Sequence, residues 1–482
     1  MKVSGRSFSV VGMGKSGLAA ARVLAALGGK VLLSDGADTP ALREAAAGLG
    51  PEIECRFGGE QIRLGDIAVL SPGIPPSAPI FRQAYKVADE VMGEIELFYR
   101  LFDGPIVAIT GTDGKSTVTT LIAHLLQAGG LNAVAAGNLG NPLCELLDGD
   151  SPSDGDSPSD GDSPSDGDSA KIAVAEVSCF QLITTSRFRP VVALATNLAH
   201  DHLDYHGSFE AYVAAKALVA AHQAAGDTFI RNLDDPILAT WMNQDSKDCR
   251  KVPGNGQLVL DISQKQAVEN GVFAKDGTFY LAQNGHATKL CKRSELAIPG
   301  AHNTENALLA IAAALAMDVP KEAIIEGLAT YRGLPHRIEY TGSLGGVRFY
   351  NDSKATNPHA AITGMAAFDE KVVLIAGGFE KGLDLTEMGE TIAQKCKSVV
   401  LTGATTKRMS KEFEGKAPIY CESTMELATK KALELAKPSG IVLLSPGASS
   451  FDNYTGFEQR GNHFKTIVRD LMIAADIASR SC

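Results

Sequence analysis

Two glycines, an ammonium and a run of hydroxyls stand in the order Gly111-Thr112-Asp113-Gly114-Lys115-Ser116-Thr117. The spacing suits the holding of a phosphate chain. Glycines let the backbone turn close to a bulky anion, and N–H groups at the start of a helix point at it. Lys115 adds a point charge, and the Ser116 hydroxyl can ligate Mg²⁺. The flanks supply the setting, because Ile106 to Ile109 is an apolar, β-prone run and Val118 to Gln127 is helix-like. The cradle predicts a nucleoside triphosphate. The commoner motif has a further glycine where Ile109 stands, so this is its compact form. The alternative is a glycine turn with an incidental lysine, and the strand before it and helix after it argue against that.

Three further groups have the right chemistry to serve such a cradle. Glu176 ends the apolar run Ile172 to Val177. An acid there, on a strand expected beside the cradle strand, can hold the metal that bridges β- and γ-phosphates. The alternative is a surface carboxylate at a strand end. His200-Asp-His-Leu-Asp-Tyr-His206 nearly imitates a zinc site, but Tyr205 displaces the third histidine from the required spacing. One imidazole, with His202 the candidate, is expected to ligate a second Mg²⁺ or orient a phosphoryl group, with Asp204 supporting it. Lys216 lies on the helix-like run Phe209 to Ala221 among alanines. It is either a snorkelling surface lysine or a buried amine of lowered pKa. A neutral amine can take up CO₂ as a carbamate, an anionic metal ligand, but the residues alone do not reach that far.

A second glycine pattern, Gly12-x-Gly14-x-x-Gly17, lies between strand-like Phe8–Val11 and a helix-like run through Leu27. Strand-like Lys30–Ser34 follows and ends at Asp35. This is the dinucleotide fingerprint, aimed at a pyrophosphate and a ribose-like polar group. A nucleotide-linked substrate, a nicotinamide dinucleotide and a structural glycine turn all fit it.

These residues need a scaffold, and the chain supplies three blocks of alternating strand and helix patterns. The first runs from Phe8 to about Met92. The second opens with the cradle and carries strand-like Ile172–Val177 and Val191–Thr196. The third follows Gly333-Leu-Pro-His-Arg337 and has strand-like Val347–Tyr350, Lys371–Ala376, Ser398–Leu401 and Gly440–Leu444. Such alternation predicts an α/β protein with parallel sheets and ligands at the carboxyl ends of strands. A length of 482 residues suits three domains. No apolar run approaches the ~18 residues of a membrane span. Eight cysteines scattered singly suit reduced thiols in the cytoplasm.

Residues 148–169 repeat Asp-Gly-Asp-Ser-Pro-Ser without one apolar side chain, so they are expected to be disordered, as a surface-loop expansion. Calcium ligation is the alternative, but no apolar residue recurs to stack such repeats. Removing the eight aspartates of this segment from a net charge of −11 leaves −3, and no basic stripe points to nucleic acid.

Taken together, Gly111–Thr117, Glu176-Val-Ser-Cys-Phe-Gln181, Asp201-His-Leu-Asp204 with Lys216, Gly333–Arg337, Asn351-Asp-Ser-Lys-Ala-Thr-Asn357 and Ser445-Pro-Gly-Ala-Ser-Ser-Phe-Asp452 with Phe457-Glu-Gln-Arg-Gly461 resemble the Mur ligase family. The resemblance covers nearly all of the chain outside the acidic repeat. Ser116 and the C-terminal block mark the branch that adds D-glutamate. The resemblance implies a Rossmann-like domain for the UDP moiety at 1–93, a central P-loop ATPase-type α/β domain at 94–333, and a Rossmann-like domain at 334–482 that closes over ATP and receives D-glutamate. It implies that ATP phosphorylates the carboxylate of UDP-N-acetylmuramoyl-L-alanine, and that D-glutamate attacks the acyl phosphate through a tetrahedral intermediate. The product is a peptidoglycan precursor, which serves cell shape and division.

The same resemblance assigns residues. Gly111 to Thr117 hold the phosphates of ATP, with Asn303, Asn306, Arg337 and Asp352 at the rest of the nucleotide and His336 beside them. Ser116, Glu176, His202 and a carbamylated Lys216 serve two Mg²⁺ sites. Gly14, Asp35, Ser71, Asn138 and His202 face the nucleotide-sugar substrate. Lys354, Thr356, Lys381, Ser450 and Phe457 receive D-glutamate or orient the third domain. Lys115, His202, Lys216 and Lys354 are the expected catalytic groups. A monomer in the cytoplasm is expected, without membrane insertion or nucleic acid. Two departures stand out. Asp113 replaces the usual asparagine, and it must face solvent or Mg²⁺ to avoid repelling phosphate. Gly36-Ala37 after Asp35 offers little side-chain chemistry to a uracil.

Overall fold

The computed structural model describes residues 1–147, 171–242, 256–300, 302–379 and 382–480. The acidic repeat, with its expected disorder, and Lys381 lie outside them. Two compact units form, Met1–Glu295 with Glu305–Leu328 and Leu296–Thr304 with Ala329–Cys482. The first unit holds two sheets, and the second holds one.

In the first sheet, β1 (Ser7–Val11), β2 (Lys30–Ser34), β3 (Ile53–Arg56), β4 (Ile67–Leu70) and β5 (Glu90–Gly93) run parallel in the order β3-β2-β1-β4-β5. That is the strand order of a Rossmann-like half and its continuation. Helices α1 (Lys15–Ala26), α2 (Pro40–Ala47) and α3 (Pro79–Val87) connect the strands. Gly17 lets α1 start tight against β1, since a Cβ there would sit 1.9 Å from the Gly12 carbonyl oxygen. Helix α4 (Glu94–Leu101) leads to the second sheet. It is pinned by Glu96, whose buried carboxylate accepts N–H groups from Ser186, Arg187 and Phe188 and the Arg100 guanidinium.

The second sheet contains β6 (Ile106–Thr110), β7 (Ala133–Gly137), β8 (Ile172–Glu176), β9 (Val192–Ala195), β10 (Thr228–Asn232), β11 (Leu258–Ser263), β12 (Gly271–Lys275), β13 (Thr278–Gln283) and β14 (His286–Lys292), in the order β14-β13-β12-β11-β10-β9-β6-β8-β7. Its central strands are buried on both faces, as continuous apolar runs such as Ile106-Val-Ala-Ile require. Helices α5 (Lys115–Ala128), α6 (Cys179–Leu182), α7 (Leu203–His206), α8 (Phe209–Ala217), α9 (His302–Ala316) and α10 (Lys321–Thr330) accompany it. The expectation of parallel sheets needs correction here, because β12, β13 and β14 form an antiparallel meander. Asp276-Gly277 and Asn284-Gly285, all at positive φ, make its two hairpin turns. The helix-like run Phe209–Ala221 also stops early as α-helix, at Ala217, and continues as a 3-10 turn through Ala220.

The third sheet has β15 (Glu339–Leu344), β16 (Val347–Asn351), β17 (Val372–Ala376), β18 (Cys396–Leu401), β19 (Ile419–Cys421) and β20 (Gly440–Leu444), in the order β15-β16-β20-β17-β18-β19, parallel except for β15. Helices α11 (Pro358–Ala366), α12 (Thr386–Lys395), α13 (Thr406–Glu412), α14 (Met425–Ala436) and α15 (Phe457–Arg480) complete it. The caps are legible in the sequence. Asn357 and Thr424 accept the third helical N–H of α11 and α14, and Pro358 opens α11. No helix among the described residues is long and apolar enough to cross a membrane.

Candidate active site

The cradle strand β6 lies between β8 and β9, with Ile109 in register with Glu176 on one side and Leu194 on the other. The loop that leaves β6 is therefore flanked by the carboxyl ends of both neighbours, where ligands of open α/β sheets sit. Gly111 and Gly114 both have positive φ. A Cβ on Gly111 would meet Thr196 Oγ1 at 2.0 Å, and one on Gly114 would meet Asn306 Oδ1 at 2.6 Å. Both glycines are thus fixed by conformation and by crowding.

The loop is gripped by the segment after β9. Thr112 N–H donates to the Asn197 carbonyl at 2.9 Å, and Asp113 N–H donates to Asn197 Oδ1 at 2.9 Å. Thr196 Oγ1 donates to the Asp113 carbonyl at 2.5 Å. These amides are spent on the loop's own shape, so the N–H groups that could meet an anion are those at the start of α5, where a helix leaves its first N–H groups without intrahelical partners. Helix α5 begins at Lys115 itself, earlier than the expected Val118, which puts Lys115, Ser116 and Thr117 in its first turn. Lys115 Nζ donates to the Thr112 carbonyl at 2.7 Å and lies over the loop. The Asp113 side chain is on the exposed side, as phosphate binding requires.

Glu176 is 2% exposed. Its Oε1 accepts from Asn138 Nδ2 at 2.8 Å, and its Oε2 has no hydrogen-bond partner. A buried carboxylate oxygen left so is costly unless a cation completes it. That observation fits Glu176 as a magnesium ligand. Among the described residues, no three His, Cys, Asp or Glu side chains gather as a ready-made metal cage. A metal here would draw its other ligands from hydroxyl, phosphate and water oxygens, which suits Mg²⁺. Asn138 is fixed in turn by the turn from Gly137 to Asn141, where Gly137 N–H donates to the Asn141 carbonyl at 2.7 Å.

Lys216 is buried, which decides against the snorkelling alternative. Its Nζ donates to the Gly111 carbonyl at 2.6 Å and lies 4.6 Å from the centre of the Tyr212 ring. Burial pulls this ammonium down to about 8, and Lys115 nearby adds to the shift, while Glu176 and Asp201 oppose it. A reactive neutral fraction is thus available near neutral pH. His202 is half-exposed, at φ 51°, with Nε2 3.3 Å from Asp201 Oδ2 and its ring 4.8 Å from that of Phe180. That contact engages Nε2, so the other ring nitrogen, Nδ1, could serve as a ligand while the carboxylate orients the ring. The Asp204 side chain lies outside the described structure.

In the first sheet, Asp35 holds its own loop: Met13 N–H donates to Oδ2 at 2.7 Å and Ala37 N–H to Oδ1 at 2.9 Å. Ser71 Oγ donates to the Gly12 carbonyl at 3.2 Å. Gly14 has an ordinary φ of −71° and open space where a Cβ would point, so folding does not demand glycine there. Lys15 Nζ reaches the Gly140 carbonyl at 3.2 Å.

The second unit gathers another set. His336 and Asp352 are buried, Lys354 and Arg337 are exposed, and Phe457 is half-buried. The His336 ring lies edge-on to Phe457 at 5.9 Å, and Lys354 Nζ lies 5.7 Å from the same ring centre. Asp352 accepts from Ser445 Oγ at 2.7 Å and Ile338 N–H at 3.3 Å, and burial pushes its carboxyl up to about 7. Both oxygens thus serve the fold. Thr356 N–H donates to the Lys354 carbonyl, and the buried Ser450 carbonyl accepts from Tyr454 N–H. Asn303 lies at the start of α9, and its side-chain amide donates to the Pro299 carbonyl, while Asn306, three residues on in that helix, belongs to the first unit.

Several organising residues escaped the sequence reading. Asn197, Thr196 and Tyr212 shape the cradle loop. Glu305 accepts from Asn197 and Asn232, and burial raises its pKa. Arg460 is 2% exposed and ties Ser353 to Ala448 through three guanidinium hydrogen bonds. Its place inside Phe457–Gly461 was the available signal.

Family descriptions match most of the chain: a Mur ligase MurD-like N-terminal domain at residues 6–93, a Mur ligase middle domain at 109–314, and a Mur ligase glutamate ligase domain at 336–447. A UDP-N-acetylmuramoylalanine--D-glutamate ligase of Thermoanaerobacter pseudethanolicus is 36% identical over 98% of this chain and 100% of its own. The ligase of the same name from Pelotomaculum thermopropionicum is 37% identical over 96% of this chain and 97% of its own. Among solved structures, the UDP-N-acetylmuramate-alanine ligase of Thermotoga maritima shares the fold, with a TM-score of 0.54 at 17% identity over 96% of this chain and 99% of its own. Cradle, flanking carboxylate, buried lysine and full-length relatives agree, and the chain belongs to the Mur ligase family.

Proposed function

We propose that the chain is an ATP-dependent ligase that joins D-glutamate to UDP-N-acetylmuramoyl-L-alanine, in the cytoplasm and as a monomer. The relatives that share its whole length carry that name. The observation that carries the reading at the site is the buried, half-unsatisfied Glu176 beside the Lys115–Ser116 cradle. Residues 1–93 would hold the UDP moiety, 94–333 the ATP, and 334–482 would receive D-glutamate.

In this reading Lys115 and the first turn of α5 hold the phosphates of ATP, and Asn306 packs against Gly114 from α9. The alanyl carboxylate attacks the γ-phosphorus, ADP leaves, and an acyl phosphate forms. The D-glutamate amine then adds to the acyl carbon, and the tetrahedral adduct collapses with loss of phosphate and a proton. Ser116, Glu176, His202 and a carbamylated Lys216 would hold two magnesium ions, which supply charge neutralisation between carboxylate and phosphate oxygens. The carbamate forms when the neutral Lys216 amine bonds to CO₂ carbon and loses one proton. Lys354, Thr356, Lys381 and Ser450 would provide the cations and hydroxyls that a dicarboxylate amino acid needs, and Phe457 would serve with them. By the family resemblance, Gly14, Asp35, Ser71 and Asn138 would serve the sugar nucleotide, and Asn303, Arg337 and Asp352 would serve ATP. Water must be excluded while the acyl phosphate exists, which is the task of a closing third domain.

The test is ADP release with ATP, magnesium and UDP-N-acetylmuramoyl-L-alanine, with each amino acid supplied in turn. Release dependent on D-glutamate is expected. Preference for L-lysine or diaminopimelate, or no calorimetric binding of magnesium-ATP, would refute the assignment.

A further inference from the structure

We propose that Tyr212 is a positioning residue of the ATP site: its hydroxyl fixes the phosphate loop through Thr112. The proposal rests on the reading of residues 111–117 as the ATP cradle and adds a residue to it. Tyr212 is 1% exposed and lies one helical turn before Lys216 on α8. Its hydroxyl is 2.8 Å from Thr112 Oγ1, a residue one hundred positions earlier. Thr112 Oγ1 also accepts the Ala199 N–H at 3.0 Å. The Thr112 carbonyl takes Lys115 Nζ, and its N–H goes to the Asn197 carbonyl. Every polar group of Thr112 is therefore engaged, and the Tyr212 hydroxyl is the contact that comes from α8.

Helix α8 thus grips two successive loop residues. Lys216 holds the Gly111 carbonyl, and Tyr212 holds the Thr112 hydroxyl. The first grip is conditional. A Lys216 nitrogen that carries a carboxyl group no longer offers an ammonium to Gly111, and its negative charge is repelled by the π face that attracted the cation. The second grip does not depend on the state of Lys216. A tyrosine phenol ionises only at about pH 10, so near neutral pH it stays an uncharged hydrogen-bonding group. Tyr212 is consequently what keeps Thr112 joined to α8 when Lys216 is drawn into other work, and Lys115 leans on the carbonyl of that same Thr112.

The experiment compares Tyr212→Phe, which keeps the ring, with Thr112→Val, Thr112→Ser and the Tyr212→Phe/Thr112→Val pair. Magnesium-ATP affinity is read by calorimetry, KM and kcat by ADP release, and folding by thermal melting. Tyr212→Phe should weaken ATP binding about fivefold, the worth of one buried hydrogen bond, with a rise in KM for ATP and little change in that for D-glutamate. Thr112→Ser, which keeps the hydroxyl, should bind ATP more tightly than Thr112→Val. The double variant should be no weaker than Thr112→Val alone, because that variant already lacks the contact with Tyr212, along with the one to Ala199. ATP affinity within twofold of native in Tyr212→Phe, or additive losses in the pair, would overturn the proposal. If Tyr212→Phe does not fold, the contrast between Thr112→Val and Thr112→Ser decides, and equal affinities there would overturn it. Failure of the native protein to bind magnesium-ATP would strike the cradle reading instead.

Discussion

Replacing Asn138 by alanine tests the proposed metal role of Glu176 without touching its side chain. The Asn138 Nδ2 donor lies 2.8 Å from Glu176 Oε1, and the other Glu176 oxygen has no partner in a side chain that is 2% exposed. Asn138→Ala therefore leaves a buried carboxylate with no donor on either oxygen. A hydrogen bond to a charged group is worth about 1.5–3 kcal/mol, which is roughly 10- to 150-fold in an equilibrium constant. Loss of a group that orients a metal ligand costs about 10- to 100-fold in metal affinity, so the two routes agree. The magnesium concentration giving half-maximal ADP release should rise at least about tenfold, at saturating ATP, sugar nucleotide and D-glutamate. Thermal melting in the absence of metal separates this from misfolding. An unchanged magnesium dependence, with only the KM for UDP-N-acetylmuramoyl-L-alanine raised, would refute the reasoning. Asn138 would then serve the sugar nucleotide alone.

Four other outcomes are expected. Lys115→Ala should abolish ADP release, and near-native turnover would count against the cradle. Lys216→Ala should be inactive and partly restored by added short carboxylates, whereas full activity without bicarbonate would remove the carbamate from the mechanism. Gly14→Ala should melt like the native protein, since nothing lies within 4 Å of its Cβ position, yet raise the KM for the sugar nucleotide. An equal KM would place the diphosphate elsewhere. Glu94→Gln should flatten stability against pH. Burial raises the Glu94 carboxyl from 4.5 to about 7, and its Oε2 has no partner. The folded state then holds this proton more tightly than the unfolded chain does. The penalty is absent below about pH 4.5 and grows as pH rises towards about 7, where it levels at roughly 3 kcal/mol. Melting temperatures between about pH 5 and 8 should fall less in the variant, and parallel profiles would refute the assignment.

Local chemistry was the legible part of this chain. Gly111 and Gly114 were readable because their φ values leave few other residues, and Glu176 because a lone acid ends a buried apolar strand. Lys216 was ambiguous in the sequence: an alanine-rich helix does not reveal which side it buries, and only the packing of α8 on the loop settles that. Tyr212, Asn197 and Thr196 stayed hidden for a different reason. They act on Thr112 and Asp113 from more than eighty residues away, and no spacing rule reaches that far. The Asp-Gly and Asn-Gly turns of the β12–β14 meander were visible signals, outweighed by the surrounding βα alternation. Asp35 and Asp352 show the converse limit. Their types suggest ligand contacts, but the sequence does not show that each carboxylate oxygen also accepts an N–H or hydroxyl of the fold.

The turn from Gly137 to Asn141 joins two regions that the sequence keeps far apart. Its Gly140 carbonyl takes Lys15, which follows the first glycine loop, and its Asn138 amide takes Glu176 beside the second. If the first loop seats the diphosphate and the second the phosphoryl donor, this turn works as a gauge block. Its fixed length sets how far a substrate must stretch from nucleotide to carboxylate. Moving that turn would shift both loops' neighbours at once, so the two ends of one substrate would be set by a single piece of backbone.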